Sequence, residues 1–319
     1  MSIARQEFLV RLDTLVACLN ETNLNDGAPT EYLRNQIASM MRQGLAVLIF
    51  AALESFVRER TAECLRGFDP NAITFSDLSD ELQRATILGA IDGLVFRSKF
   101  EDKTNRHTWA LQQLKNIASS DTSLANISHL SFASNKANLD DEDIPNVLKA
   151  FGIEDVWKNI TDVSKRAGMG GLLDAKAQFS QIRKTRHLSA HDVTSIVPHA
   201  NLSSSIQAIR GIGVGFDMLL SHSLSLHNEG KIPGKASEPK VETVHIKFLF
   251  LAAIPLTLDN YEIYRMHAAT PTQPAMKESV RTFTSKFEAL MAAAEEATNN
   301  NEQIVDIGPA GAVIDWHPC

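Results

Sequence analysis

Along most of this chain apolar side chains recur at intervals of three and four, the period of a helix with one buried face. Over residues 3–20 the stripe is Ile3, Phe8, Leu12, Leu15, Val16 and Leu19. Turn-forming residues from Glu21 to Pro29 separate it from the longest helical pattern, residues 31–65. There Ile37, Met41, Leu45, Leu48, Ile49, Ala52, Leu53 and Phe56 form a wide apolar face, expected to be buried among several partners. Residues 76–98 predict another helix, with Ser76 or Ser79 as its cap. Trp109, Leu111, Leu114 and Ile117 mark a short one. The polar stretch from Ser119 to Pro145, with the acidic run Asp140–Asp143, reads as a long surface excursion. Short helices at 146–151 and 155–165 lead to the chain break Gly168-Met-Gly-Gly171. Residues 172–186 are helical again, with Ala175, Phe179 and Ile182 inward, and a long helix covers 204–226, capped by Asn201 or Ser203. Gly211, Gly213 and Gly215 in that helix lower its propensity. They signal either a kink or the close approach of another backbone, such as a subunit contact.

After His227 the pattern changes. Val244, Ile246, Phe248 and Phe250 alternate as in a strand, and residues 261–266 offer a pairing partner. Residues 275–297 return to helical spacing, and Ile304–Ile307 and Ala312–Trp316 are strand-like. The fold class is therefore mainly α, a helical domain over 1–227 followed by a linker over 228–240 and a small α+β module over 241–319.

Composition narrows the function. With 31 basic and 38 acidic residues the net charge is -7, so no whole-protein positive field draws in nucleic acid. Any such contact needs a local basic patch or one assembled between subunits. The three cysteines, Cys18, Cys64 and Cys319, are far apart and form no CxxC pair, which suits a reducing cytoplasm. The apolar runs 45–53 and 248–256 are shorter than the roughly 20 residues of a spanning helix, so no membrane segment is expected. The glycine run is not followed by the lysine of a phosphate loop. No Cys or carboxylate stands at ligand spacing from a histidine, so neither a metal nor another cofactor is expected.

One stretch concentrates chemistry: Arg183-Lys-Thr-Arg-His-Leu-Ser-Ala-His191. A guanidinium can fork onto a phosphate and stabilise charge that grows in a transition state. An imidazole titrating near neutrality can take the proton of a ribose 2'-OH or give one to a leaving 5'-oxygen. Arg186, His187 and His191 carry those groups. For Arg186 and His191 to meet one phosphate, the helix must end or distort near His187, or two copies must share a site. The non-helical look of residues 192–198 favours the first. The plain alternative is that cations at a helix C-terminus only complement the helix dipole. Glu54, in the apolar middle of the long helix, either faces solvent or finds a cationic partner.

Arg186-His-Leu-Ser-Ala-His191 resembles the R-polar-x-x-x-H motif of HEPN domains. The phrases Phe50-Ala-Ala-Leu-Glu-Ser-Phe-Val57, Ser131-Phe-Ala-Ser-Asn-Lys136 and Val147-Leu-Lys-Ala-Phe-Gly-Ile153 are similar to the prokaryotic HEPN group that includes the RiboL-PSP type. The likeness covers residues 30 to 226. It implies a helical bundle that dimerises with two motif copies in one cleft, and for many members a metal-independent endoribonuclease of toxin–antitoxin, abortive-infection or antiviral defence systems. It would make Arg186 the phosphate ligand and His191 the acid or base. His187 would support, and Glu54 would position the motif arginine. Arg183 and Lys184 lie outside the motif and would add positive field for RNA. The implied partners are RNA, a second copy, and an antitoxin or defence protein. The alternative is a non-catalytic HEPN module that binds a partner protein or RNA. Residues 241–319 have no counterpart in the resemblance.

Overall fold

A computed structural model describes residues 2–231, 241–243, 246–254, 260–267, 276–308 and 311–317. Helix α1 (Ile3–Leu19) begins where the Ser2 side chain accepts the Arg5 N–H, and buries Phe8, Leu12 and Leu15. Helix α2 (Tyr32–Arg66) runs through the centre of the bundle. It contains a stretch long and apolar enough to cross a membrane, but 61% of that stretch is buried against neighbouring parts of this chain. The expected helix over 76–98 is built in pieces: α3 (Asp80–Arg84) capped by Ser79, a π turn over Ala85–Gly89, and α4 (Ala90–Arg97). Then come α5 (Arg106–Ala118), α6 (Asp143–Ala150), α7 (Val156–Arg166), α8 (Ala175–His191) and α9 (His199–Asn228).

Two expectations about this region change. The stretch 119–145 is not a loose excursion, because Leu124, Ile127, Leu130 and Leu139 are buried. The three glycines of α9 admit this chain's own neighbours. A Cβ on Gly213 would stand 2.5 Å from the Phe8 ring, and one on Gly215 would stand 2.7 Å from the Ile160 carbonyl. Any side chain there would push α1 or α7 off the core. The close approach that they signal is thus within this chain, to a backbone carbonyl at Gly215 and to side chains at Gly211 and Gly213.

The C-terminal residues form a five-stranded sheet of order β3-β2-β1-β4-β5, with β1 Lys247–Ala253, β2 Tyr261–His267, β3 Met276–Phe283, β4 Glu302–Ile307 and β5 Val313–His317. The β1–β4 pair is parallel and the others antiparallel. Helix α10 (Lys286–Asn300) crosses one face, setting Ala289, Ala293 and Ala297 against Leu249, Leu251, Ile263 and Ile304. Residues 276–283 are thus a strand where helical spacing was expected, because pairing with β2 outweighs a local period that fits both. Val244 of the expected first strand lies outside the described residues, as do residues 232–240 of the expected linker. The other sheet face meets the bundle: Phe248, Phe250, Val305, Val313 and Trp316 share one hydrophobic core with the helices.

Candidate functional site

Helix α8 starts at Asp174, whose side chain accepts the Ala177 N–H at 3.0 Å. Its inward stripe, Ala175, Phe179 and Ile182, is buried, and the Phe179 ring lies 5.6 Å from Phe50 of α2 and 5.2 Å from Trp157 of α7. This anchoring fixes the azimuth of every residue that follows. The helix does not end near His187. It continues to His191, with the Asp192 N–H still donating to the Leu188 carbonyl at 2.7 Å. The Asp192 side chain then accepts from the Thr194 N–H and hydroxyl, turning the chain out of the helix. Residues 187–191 contain no glycine or proline that would break the helix.

The unbroken helix places His187 and His191, four apart, on one flank. Both are exposed, and their ring centroids are 4.9 Å apart at 52°. Arg186 is half-buried and donates from Nη2 to Oδ1 of Asn138 at 2.5 Å. No carboxylate lies within ion-pairing distance of it among the described residues. The structure therefore gathers Arg186, His187 and His191 at one helix end. Arg183 and Lys184 divide: Arg183 is tied to Asp141 at 2.7 Å, while Lys184 is exposed.

The loop that meets Arg186 has its own anchors. Arg58 on α2 donates from Nε to the Ala133 carbonyl at 2.8 Å and from Nη2 to the Ala137 carbonyl at 3.2 Å. Glu54, one turn earlier, accepts the Leu139 N–H at 2.5 Å and stands 3.9 Å from Arg58. Lys136 bridges Asp140 and Asp143. From α8, Ser180 and Arg183 both donate to Asp141. On the far side, the loop carbonyls of Ser131 and Leu130 press onto Gly89 and Gly93, where a Cβ would come within 2.5 and 2.6 Å.

Glu54 is 6% exposed, so of its two expected settings the buried one holds. Its carboxyl is pushed above the ordinary value by burial, a cost that the Leu139 N–H and the charges of Arg58, Arg186 and Arg97 oppose. It does not bond Arg186. It bonds the backbone one residue beyond Asn138, so its hold on the arginine is indirect. Arg58 is lowered by burial, with Glu54 acting against that.

Sequence reasoning missed Asn138, Asp141 and Arg58. Asn138 is 48 residues from the arginine it meets, and no local period announces it. The nearest signal was the acidic run beginning at Asp140, with Lys136 four residues before it. Among the described residues no three His, Cys, Asp or Glu side chains gather as a metal would require.

No curated protein and no solved structure matches the chain significantly. A family model described as RiboL-PSP-HEPN matches residues 6–213, from within α1 to the middle of α9 and across every element that builds the site. That span is well over half of the 319 residues, and the chain belongs to the HEPN family.

Proposed function

We propose that this protein is a metal-independent endoribonuclease, working as a homodimer in the cytoplasm as a bacterial toxin or phage-defence effector. The observation that carries the reading is the end of α8: two exposed, neighbouring imidazoles, and on the same helix end a guanidinium whose hydrogen-bond partner among the described residues is a neutral amide. In this reading Arg186 binds the non-bridging oxygens of the scissile phosphate. An imidazole takes the 2'-OH proton as the 2'-oxygen bonds to phosphorus. The bond to the 5'-oxygen breaks, and a second imidazole protonates that oxygen. The products are a 2',3'-cyclic phosphate and a 5'-hydroxyl. His191 is the principal acid or base and His187 its support, with Lys184 adding positive field for the strand.

A continuous helix cannot turn Arg186 and His191 onto one phosphate unaided, which favours a site shared by two copies. A second apolar stripe on α2 supports this. Ile37, Met41 and Leu48, expected in the buried face, are instead exposed along one face with Gly44 and Ala51, and the space beside Gly44 is open. Gln43 and Arg42 hold the carbonyls of Ser195 and Val197, so the loop after the motif rides on the same helix. That loop exposes Val193 at 92% and Ile196 at 79%. A patch of this kind beside a charged motif suits a two-fold interface.

The test is incubation with a structured RNA in EDTA, followed by analysis of the new ends and of mass in solution. Cyclic-phosphate ends from a dimer are expected, with Leu48→Asp giving a folded monomer that no longer cuts. Cleavage by that monomer at the wild-type rate would remove the shared cleft. A wild type without cleavage would leave a binding module.

A further inference from the structure

We infer that Asn138 is a positioning residue, and that its neutrality is what the site requires of it. The inference rests on the nuclease reading for its functional consequence, though not for its geometry. A guanidinium that must grip a phosphate needs two things from the protein: a fixed plane, and a charge that is not already spent. A carboxylate partner would give the first and remove the second, because a forked ion pair occupies the donors and cancels the field. An amide oxygen fixes the plane through one N–H and leaves the net charge intact.

The surroundings of Arg186 follow this logic. Five carboxylates lie close in sequence or space; four are engaged elsewhere, and the fifth, Glu142, is exposed. Glu54 holds the Leu139 N–H beside Arg58, Asp140 and Asp143 hold Lys136, and Asp141 holds Ser180 and Arg183. Of this acid-rich segment, the residue that reaches Arg186 is the amide. The amide is itself held in place. Arg58 grips the carbonyl of Ala137 just before it, Glu54 grips the N–H of Leu139 just after it, and the loop lies on Gly89 and Gly93 behind. The loop from Ser128 to Glu142 is therefore a brace running from α4 and α2 to the motif, with Asn138 as its contact point. Positioning of this kind acts on turnover more than on encounter, since a misplacement on the order of 1 Å can cost about 100-fold in rate.

The experiment compares the full-length wild type with Asn138→Ala and Asn138→Asp. The readouts are kcat and KM on structured RNA in EDTA, melting temperature, and the side-chain NMR signal of Arg186 in arginine-labelled protein, assigned with Arg186→Lys. We expect Asn138→Ala to lower kcat about 10- to 100-fold with KM within about 3-fold. Asn138→Asp keeps the shape, yet should raise KM and flatten the salt dependence of binding, because its carboxylate pairs with the guanidinium. The Arg186 signal should broaden or average in Asn138→Ala. Wild-type kcat in Asn138→Ala overturns the proposal. So do kcat and KM that fall in step with a lost fold, provided that Asn138→Asp also binds RNA as the wild type does. If the wild type does not cut RNA, the nuclease reading fails by itself. The NMR comparison still decides the geometry, and an unchanged Arg186 signal in Asn138→Ala overturns it.

Discussion

Two arginines in this molecule are treated in opposite ways. Arg60 of α2 donates from Nε to Asp217 at 2.5 Å, from Nη2 to the Ser221 hydroxyl at 2.6 Å and from Nη1 to Glu63 at 3.2 Å. Asp217 is fully buried, and its other oxygen accepts the indole N–H of Trp316 at 2.8 Å. This closed set joins α2, α9 and strand β5, with the Trp316 ring edge-on to Phe56. Among the described residues Arg186 hydrogen-bonds one neutral partner, on a helix end that also carries two exposed imidazoles. A buried guanidinium with a partner on each of its three nitrogens is part of the scaffold. One left with full charge near solvent is available for a ligand. On the proposed reading, the difference separates an arginine that holds the fold from one that binds RNA, without reference to its neighbours in sequence.

Asp217→Ala strands the Arg60 charge and the Trp316 indole in the core, and should cost about 3–5 kcal/mol in a denaturant titration. A loss below about 1 kcal/mol would mean that the network is not what fastens the sheet. A smaller effect comes from a second buried polar group of the scaffold. His227 stands edge-on to the stacked rings of Phe68 and Phe151, and burial holds its imidazole below the ordinary value. A base held neutral binds fewer protons folded than unfolded, so its contribution is present above the unfolded value of about 6.5 and is lost as pH falls below it. Melting temperature should therefore drop between about pH 7 and pH 5, less steeply in His227→Gln. Equal slopes would assign the drop to other groups. The smallest effect belongs to the open side. Arg183 is half-exposed and paired to a half-exposed Asp141. Arg183→Ala should change stability by about 1 kcal/mol or less and leave RNA cleavage within a few-fold. A complete loss of cleavage would move Arg183 into the motif.

How much of this was legible in the sequence follows from the range of the interactions involved. Helices α1, α2 and α9 show in their periodicity because each buries a face that the chain itself spells out. The family phrase at 186–191 is equally local. Strand β3 was misread because Val280, Phe283 and Phe287 fit a helical spacing, whereas what makes 276–283 a strand is its pairing with β2. The brace was misread for a related reason. Its polar residues look solvated until Glu54, Arg58, Ser180 and Arg183 supply partners from other helices. The end of α8 was placed too early because its polar residues resemble a loop in composition, although nothing in them forbids the helix. Trp316 carried no signal of its destination, a carboxylate 99 residues away.

On the proposed reading the open arginine and its histidine act on RNA, while the closed network only holds the fold. The most direct measurement compares wild type, Arg186→Ala and His191→Ala on a structured RNA in EDTA, with melting temperatures recorded alongside. The account predicts that only the wild type cuts, that both variants melt within a few degrees of it, and that each loses activity by two orders of magnitude or more. Variants that cut like the wild type while folded would contradict it, and the end of α8 would then be a helix terminus and nothing more.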